Sequence, residues 1–183
     1  MYRMKPLFLS LLLLPSLAFG QRFTKSMIPI KDGNIVYDDT IKLDKPGNKI
    51  AIYEETRKSL ANYFQIPKAG IELSPINNGS LTVNESFDFT GWDDKINKSF
   101  NSHATFTIDL AVVGTYFIIE IFNFKIQSYI DYSSYQMPDW YDMDVNKYYS
   151  NIDSTGWANK TMKNFDAKNR EILANIRENV FHK

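Results

Sequence analysis

The stretch DMDVNKYYSNID, from Asp142 to Asp153, places side-chain oxygens at the spacing of a calcium loop. Asp142, Asp144 and Asn146 fall at the first, third and fifth positions, and Asp153 at the twelfth. Such a loop also needs glycine at its sixth position for a sharp turn, and a bidentate carboxylate, usually Glu, at its end. Lys147 occupies the sixth position and brings a positive charge, and the last carboxylate is the shorter Asp. Pro138 lies just ahead, where a helix should lead into the loop. The spacing therefore predicts a solvated acidic loop without a metal.

The same segment offers a second chemistry. Trp140, Tyr141, Tyr148 and Tyr149 cluster beside Asp139, Asp142 and Asp144. Amphipathic aromatics are enriched where proteins recognise partners, so these four are the candidate binding residues. The alternative is that they only cover one face of a sheet. No catalytic residue stands out. There is no cysteine, and the two histidines are His103 and His182, the latter beside the last residue. No serine lies in a G-x-S-x-G or S-x-x-K pattern. The carboxylate pairs Asp38–Asp39, Glu54–Glu55 and Asp93–Asp94 are adjacent, so they diverge on a strand and stay solvated on a helix. No cofactor is expected.

The start of the chain has the order read by signal peptidase. Arg3 and Lys5 precede an apolar stretch from Leu7 to Leu17, and Ala18-Phe19-Gly20 ends on small residues. The apolar stretch is shorter than the ~20 residues a membrane span needs, so a cleaved leader over 1–20 is expected, with no span after it. No cysteine follows that could carry a lipid. Residues 21–183 then form a single domain, large enough to bury a core without disulfides. Removing Arg3 and Lys5 from the 21 basic residues leaves 19 against 21 acidic ones. Without a basic cluster, a nucleic-acid partner is not expected.

Elements that must position these residues follow from periodicity. NIVYDDTIKL alternates, with Ile35, Tyr37, Ile41 and Leu43 on one side and Asp32-Gly33 turning the chain before it. Ile50, Tyr53, Leu60, Ala61 and Phe64 form a helical stripe behind an Asn48 cap. A short strand over 69–74 and a turn at Asn77 to Gly79 precede SLTVNESFDF, which sets Leu81, Val83, Phe87 and Phe89 inward. SHATFTIDLAV sets Phe106, Ile108, Leu110 and Val112 inward. YFIIEIFNFKIQSYI is apolar on nearly every residue, as a central strand would be. Charges at Asp109, Glu120 and Lys125 argue for a hairpin over 108–126 rather than a membrane span. Residues 131–158 read as a long irregular loop, and Asp166 as the cap of a last helix striped by Ile172, Leu173, Ile176 and Val180.

The chain resembles a secreted Bacteroidota domain of unknown function with a TATA-binding-protein-like (TBP-like) fold. The resemblance rests on IPIKDGNIVYDDTIKL, on the helix bearing Tyr53, Leu60, Ala61 and Phe64, and on GTYFIIEIFNF. It covers about residues 28–127 and the last helix. It implies an α+β fold: an antiparallel sheet of about five strands with two helices on one face, in the order β-α-β-β-β-β-α. It implies an envelope setting but no catalytic residues, and the fold's name carries no DNA binding with it. The reading is an exported, periplasmic or secreted, non-enzymatic module that binds a protein or small ligand. The alternatives are a periplasmic hydrolase built from dispersed carboxylates and a structural partner of a larger assembly.

Overall fold

The computed structural model describes residues 23–43, 48–65, 80–93, 98–130 and 139–181. The leader, the strand expected over 69–74 and the Asn77–Gly79 turn lie outside them. The elements run β1 (Ile30–Lys31), β2 (Asn34–Ile35), β3 (Tyr37–Lys42), α1 (Lys49–Tyr63), β4 (Ser80–Asp93), β5 (Lys98–Val113), β6 (Tyr116–Ile130), β7 (Asp139–Met143), α2 (Val145–Ser150) and α3 (Gly156–Phe181). Strands β3-β6-β5-β4 form one antiparallel sheet, and β7 adds to β6 as its fifth strand. The five-stranded antiparallel sheet with helices is the α+β arrangement expected, although its fifth described strand is β7.

Local chemistry accounts for the turns. Asp32 (φ 51°) and Gly33 (φ 80°) are both left-handed, the backbone that closes the β1–β2 ribbon in two residues. Gly91 lies opposite Phe100, whose ring covers the space a side chain would need. Asn48 caps α1 by accepting from the amides of Ile50 and Ala51, at 3.1 and 3.4 Å.

One face of the sheet carries the core. Leu81, Val83, Ile108, Leu110, Ile119 and Ile121 are buried beneath α1 and α3. The Tyr53 hydroxyl accepts from the Val112 amide at 3.1 Å, just past the point where β4 stops pairing with β5. Phe165 of α3 meets the rings of Phe87, Phe89 and Phe124 at 4.9–6.0 Å in tilted and edge-on contacts. Ile50 is the exception to the predicted stripe of α1. It stands 53% exposed at the helix's first turn, and the buried face is Tyr53, Thr56, Ser59, Leu60 and Ala61. Ser59 donates to Asn175 Oδ1 across the α1–α3 contact at 3.1 Å.

The expected loop over 131–158 is corrected by two regular elements, β7 and α2. The last helix is also longer than expected. It begins at Gly156, so Asp166 lies within it and does not cap it. Asp166 is buried and accepts from Arg170 Nε one turn on, at 2.8 Å. Arg170 also reaches the Met27 carbonyl at 2.9 Å, tying the N-terminal segment to α3. The Tyr37 hydroxyl faces Asp166, and burial, reinforced by that carboxylate's charge, pushes the phenol's pKa well up. Among the described residues no helix is long and apolar enough to cross a membrane. The apolar run over 108–126 is the β5–β6 hairpin.

β6 contains the irregularity that organises the open face. Phe117, Ile119 and Ile121 point to the core, but further along it is Ile126 and Ser128 that are buried. Between Thr107↔Phe122 and Thr105↔Lys125, Phe106 alone opposes Asn123 and Phe124. Asn123 takes a left-handed backbone, φ 58°. This extra residue is a β-bulge, and it exchanges the inward and outward positions of the strand. The run is apolar because the first half carries apolar residues on both faces, with Tyr116, Ile118 and Phe122 outward between the inward Phe117, Ile119 and Ile121.

Candidate functional site

The helices cover one face of the sheet and leave the outward residues of β4, β5 and β6 open. Strand alternation makes much of that face polar: Thr82, Asn84, Asp88 and Thr90 on β4, then Asn101, His103, Thr105 and Asp109 on β5, while Val113 and Tyr116 stand exposed at the hairpin end. Cross-strand register assembles them into rows. The fullest row crosses four strands, pairing Asp88 with His103, His103 with Gln127, and Gln127 with Asp142. His103 Nδ1 lies 2.7 Å from Asp88 Oδ1, and Gln127 Nε2 donates to Asp142 Oδ1 at 2.9 Å. The next row runs Thr90, Asn101, Tyr129, Trp140. Asp88, Asn101, His103, Gln127 and Tyr129 line an open concavity of about 790 Å³.

The bulge is responsible for this juxtaposition. The β5–β6 hairpin opens with Val113 opposite Tyr116. Continued without interruption, that register would set His103 against Ile126. The extra residue at Asn123 brings Gln127 there instead.

A second row joins Thr82, Asp109, Glu120 and Asp38 across β4, β5, β6 and β3. Its carboxylates are engaged separately: Thr82 donates to Asp109, and Lys31 pairs with Glu120. Asp39 leaves the face next to Asp38, as adjacent strand positions must, and is held by Arg177 through Nε at 3.0 Å and a terminal nitrogen at 2.6 Å. On α1, Glu54 takes Arg57 at 2.9 Å. The side chains of Asp93 and Asp94 lie outside the described residues.

The residues of the calcium-like spacing are dispersed. Asp142 belongs to β7. Asp144 caps α2 by accepting from the Asn146 amide at 2.8 Å. Asp153 accepts from the Lys25 amide at 3.2 Å, beyond the end of α2. Each oxygen serves a different element.

The four aromatic candidates also separate. Trp140 and Tyr141 are on β7, opposite Tyr129 and Ser128; their side chains lie outside what the structure describes. Tyr148 and Tyr149 are on α2, which packs against α3. Tyr148 is 1% exposed, within the core beside Val145, so its assignment to a binding surface is corrected: it seals the helical layer. Tyr149 is partly buried and holds the Lys25 ammonium 4.4 Å from its ring centre. His103 and Gln127, which sequence reasoning did not nominate, hold the centre of the open face. Alternation alone marks His103 as outward; only the bulge reveals its neighbour.

No protein-family model matches the chain, and no curated protein matches it significantly. Solved structures resemble it in shape. A crystal structure of a DUF4468 family protein from Bacteroides ovatus ATCC 8483 has a TM-score of 0.60 at 10% identity, covering 87% of this chain and 94% of that one. A TBP-like protein from Parabacteroides distasonis ATCC 8503 has a TM-score of 0.50 at 13% identity, covering 84% and 99%. At such identities the likeness is one of fold, and the chain has the TBP-like α+β fold that its sequence resembles.

Proposed function

We propose that this chain is exported to the periplasm or beyond, through its N-terminal leader, and acts there as a non-enzymatic module. On this reading it binds a protein partner through the open face of its sheet. The observation that carries the proposal is the polar row Asp88–His103–Gln127–Asp142 on a face left uncovered by either long helix. Hydrogen bonds among neighbours restrict these side chains before a partner arrives, which lowers the entropy lost on binding. A broad, shallow concavity suits a protein surface better than a small substrate, which is usually enclosed.

The competing hydrolase draws on Asp88 and His103, since a carboxylate beside imidazole is the usual way to orient a general base. It lacks support from buried carboxylates: among the described residues Asp166 is the buried one, and Arg170 occupies it. The test is capture of partners from the native envelope by wild type and by a His103→Ala, Gln127→Ala double variant, with melting followed by circular dichroism. Loss of a specific partner from a folded variant supports the reading. An unchanged partner set from the folded variant would sink it.

A further inference from the structure

A second cleft lies on the opposite edge of β6 from β5. β3 pairs with β6 only as far as Ile121, and β7 begins pairing at Ile126. Over the residues between, β6 has no strand partner on that side among the described residues. The β1–β2 ribbon arrives at this gap from one direction and α2 departs from it in the other. The result is a cleft of about 480 Å³, with Phe122, Asn123 and Phe124 of β6 along one side. That size lies within the ~300–1,000 Å³ typical of small-molecule sites.

Its walls mix aliphatic side chains, Ile35, Val36 and Val145, with three asparagines. Asn34 comes from the ribbon, Asn123 from the bulge and Asn146 from α2. Each amide is both a donor and an acceptor. Asn34 Nδ2 is committed to the Asp32 carbonyl at 3.3 Å, and Asn123 Nδ2 makes a long contact of 3.5 Å to Thr107. The Asn146 side chain makes no hydrogen bond among the described residues; its main chain alone is engaged. Lys31 and Glu120 pair with each other, so among the described lining residues the charge left over is that of Asp32, with no surplus cation for an anionic ligand. Of the three non-glycine residues with positive φ among those described, Asp32 and Asn123 both line this cleft. Backbone held in sparsely populated regions gathers at binding sites.

We propose that this cleft binds a neutral saccharide. Paired donors and acceptors are what vicinal hydroxyls require, and the partly buried ring of Phe122 offers an apolar surface to the C–H face of a sugar ring. With no net positive charge among the described lining residues, phosphate and carboxylate ligands are disfavoured. The site is separate from the open-face concavity, so the two proposals stand or fall independently.

The test is titration of the isotope-labelled protein with glucose, galactose, N-acetylglucosamine and maltose, followed by amide NMR, with acetate and phosphate as anionic controls. Asn123→Gly removes the amide while retaining a residue suited to the left-handed backbone. Asn146→Ala removes the unpartnered amide from a solvent-exposed helical position. Saturable shifts at Asn34, Asn123 and Asn146 with one of the sugars, at a Kd of ~1 mM or tighter, and at least ~10-fold weaker binding by the folded double variant, support the site. No saturable shift with any sugar, equal binding by the double variant, or tighter binding of acetate or phosphate would overturn it.

Discussion

The two faces of the sheet are made from the same strands but are built differently. On β5 the inward residues Ile108 and Leu110 are wholly buried, while His103 and Asp109 on the other side stay partly open. The inward set packs against helices and derives its stability from the area removed from water. The outward set is joined mainly by single side-chain hydrogen bonds, each of modest net worth. The division separates what keeps the chain folded from what is available for recognition, and substitutions on the two faces should therefore fail in different ways.

The largest losses belong to the covered side. Tyr148→Ala should cost ~3–5 kcal/mol, and Leu110→Ala or Ile176→Ala ~2–5 kcal/mol, read from denaturant melts. Parental stability in all three would undo the division between faces. Next comes Tyr53→Phe, which keeps the ring but leaves the Val112 amide without the hydroxyl that accepts it. A loss of ~1–3 kcal/mol is expected. A neutral outcome would mean that this amide finds water once the hydroxyl has gone.

On the open side, His103→Ala and Gln127→Ala should each move stability by no more than ~0.5 kcal/mol. A much larger cost would show that the polar row is structural. The smallest effect tests a residue that crosses the division. Glu85 shares the inward parity of Val83 and Phe87 on the edge strand β4, and is half-buried. Burial raises its pKa above the ordinary 4.5, partly opposed by a hydrogen bond from the Ser86 backbone. The folded chain then holds this proton more tightly than the unfolded one. Its contribution to stability is fully present below the unfolded value and is lost as pH rises through the raised one. Glu85→Gln should flatten that decline, by less than ~0.5 kcal/mol given its exposure. An unchanged pH slope would show that Glu85 titrates normally.

Legibility in the sequence followed the length and regularity of each element. β4 and β5 alternate over many residues, and their inward sets were readable. β7 has five residues and α2 six, too few to establish a period. The first half of α3 hides its stripe because Thr161 and Asn169 share the buried face with Ala158, Met162 and Phe165. A series of positions three and four apart was present there, but polar residues interrupted it. Asp166 resembled a cap because Asp often is one; here Arg170 lies a turn further on and pairs with it. The open-face row was invisible for another reason. Alternation tells which side a residue takes but not which partner it meets, and the register near Gly114 would name the wrong partner for His103.

The bulge at Asn123 also makes β6 behave like a message with a deliberate shift of frame. Deleting Asn123 would take out the surplus residue and the bulge together. Lys125, Gln127 and Tyr129 would keep their outward places, Ile126 and Ser128 their inward ones, and His103 would still meet Gln127. A one-residue deletion beyond the bulge, by contrast, would turn every later side chain to the other face unless the bulge closed to absorb it. Length variation of one residue among chains that share this shape should thus be tolerated at Asn123 and avoided elsewhere in β6, a pattern set by the geometry of alternation and independent of which side chains occupy the strand.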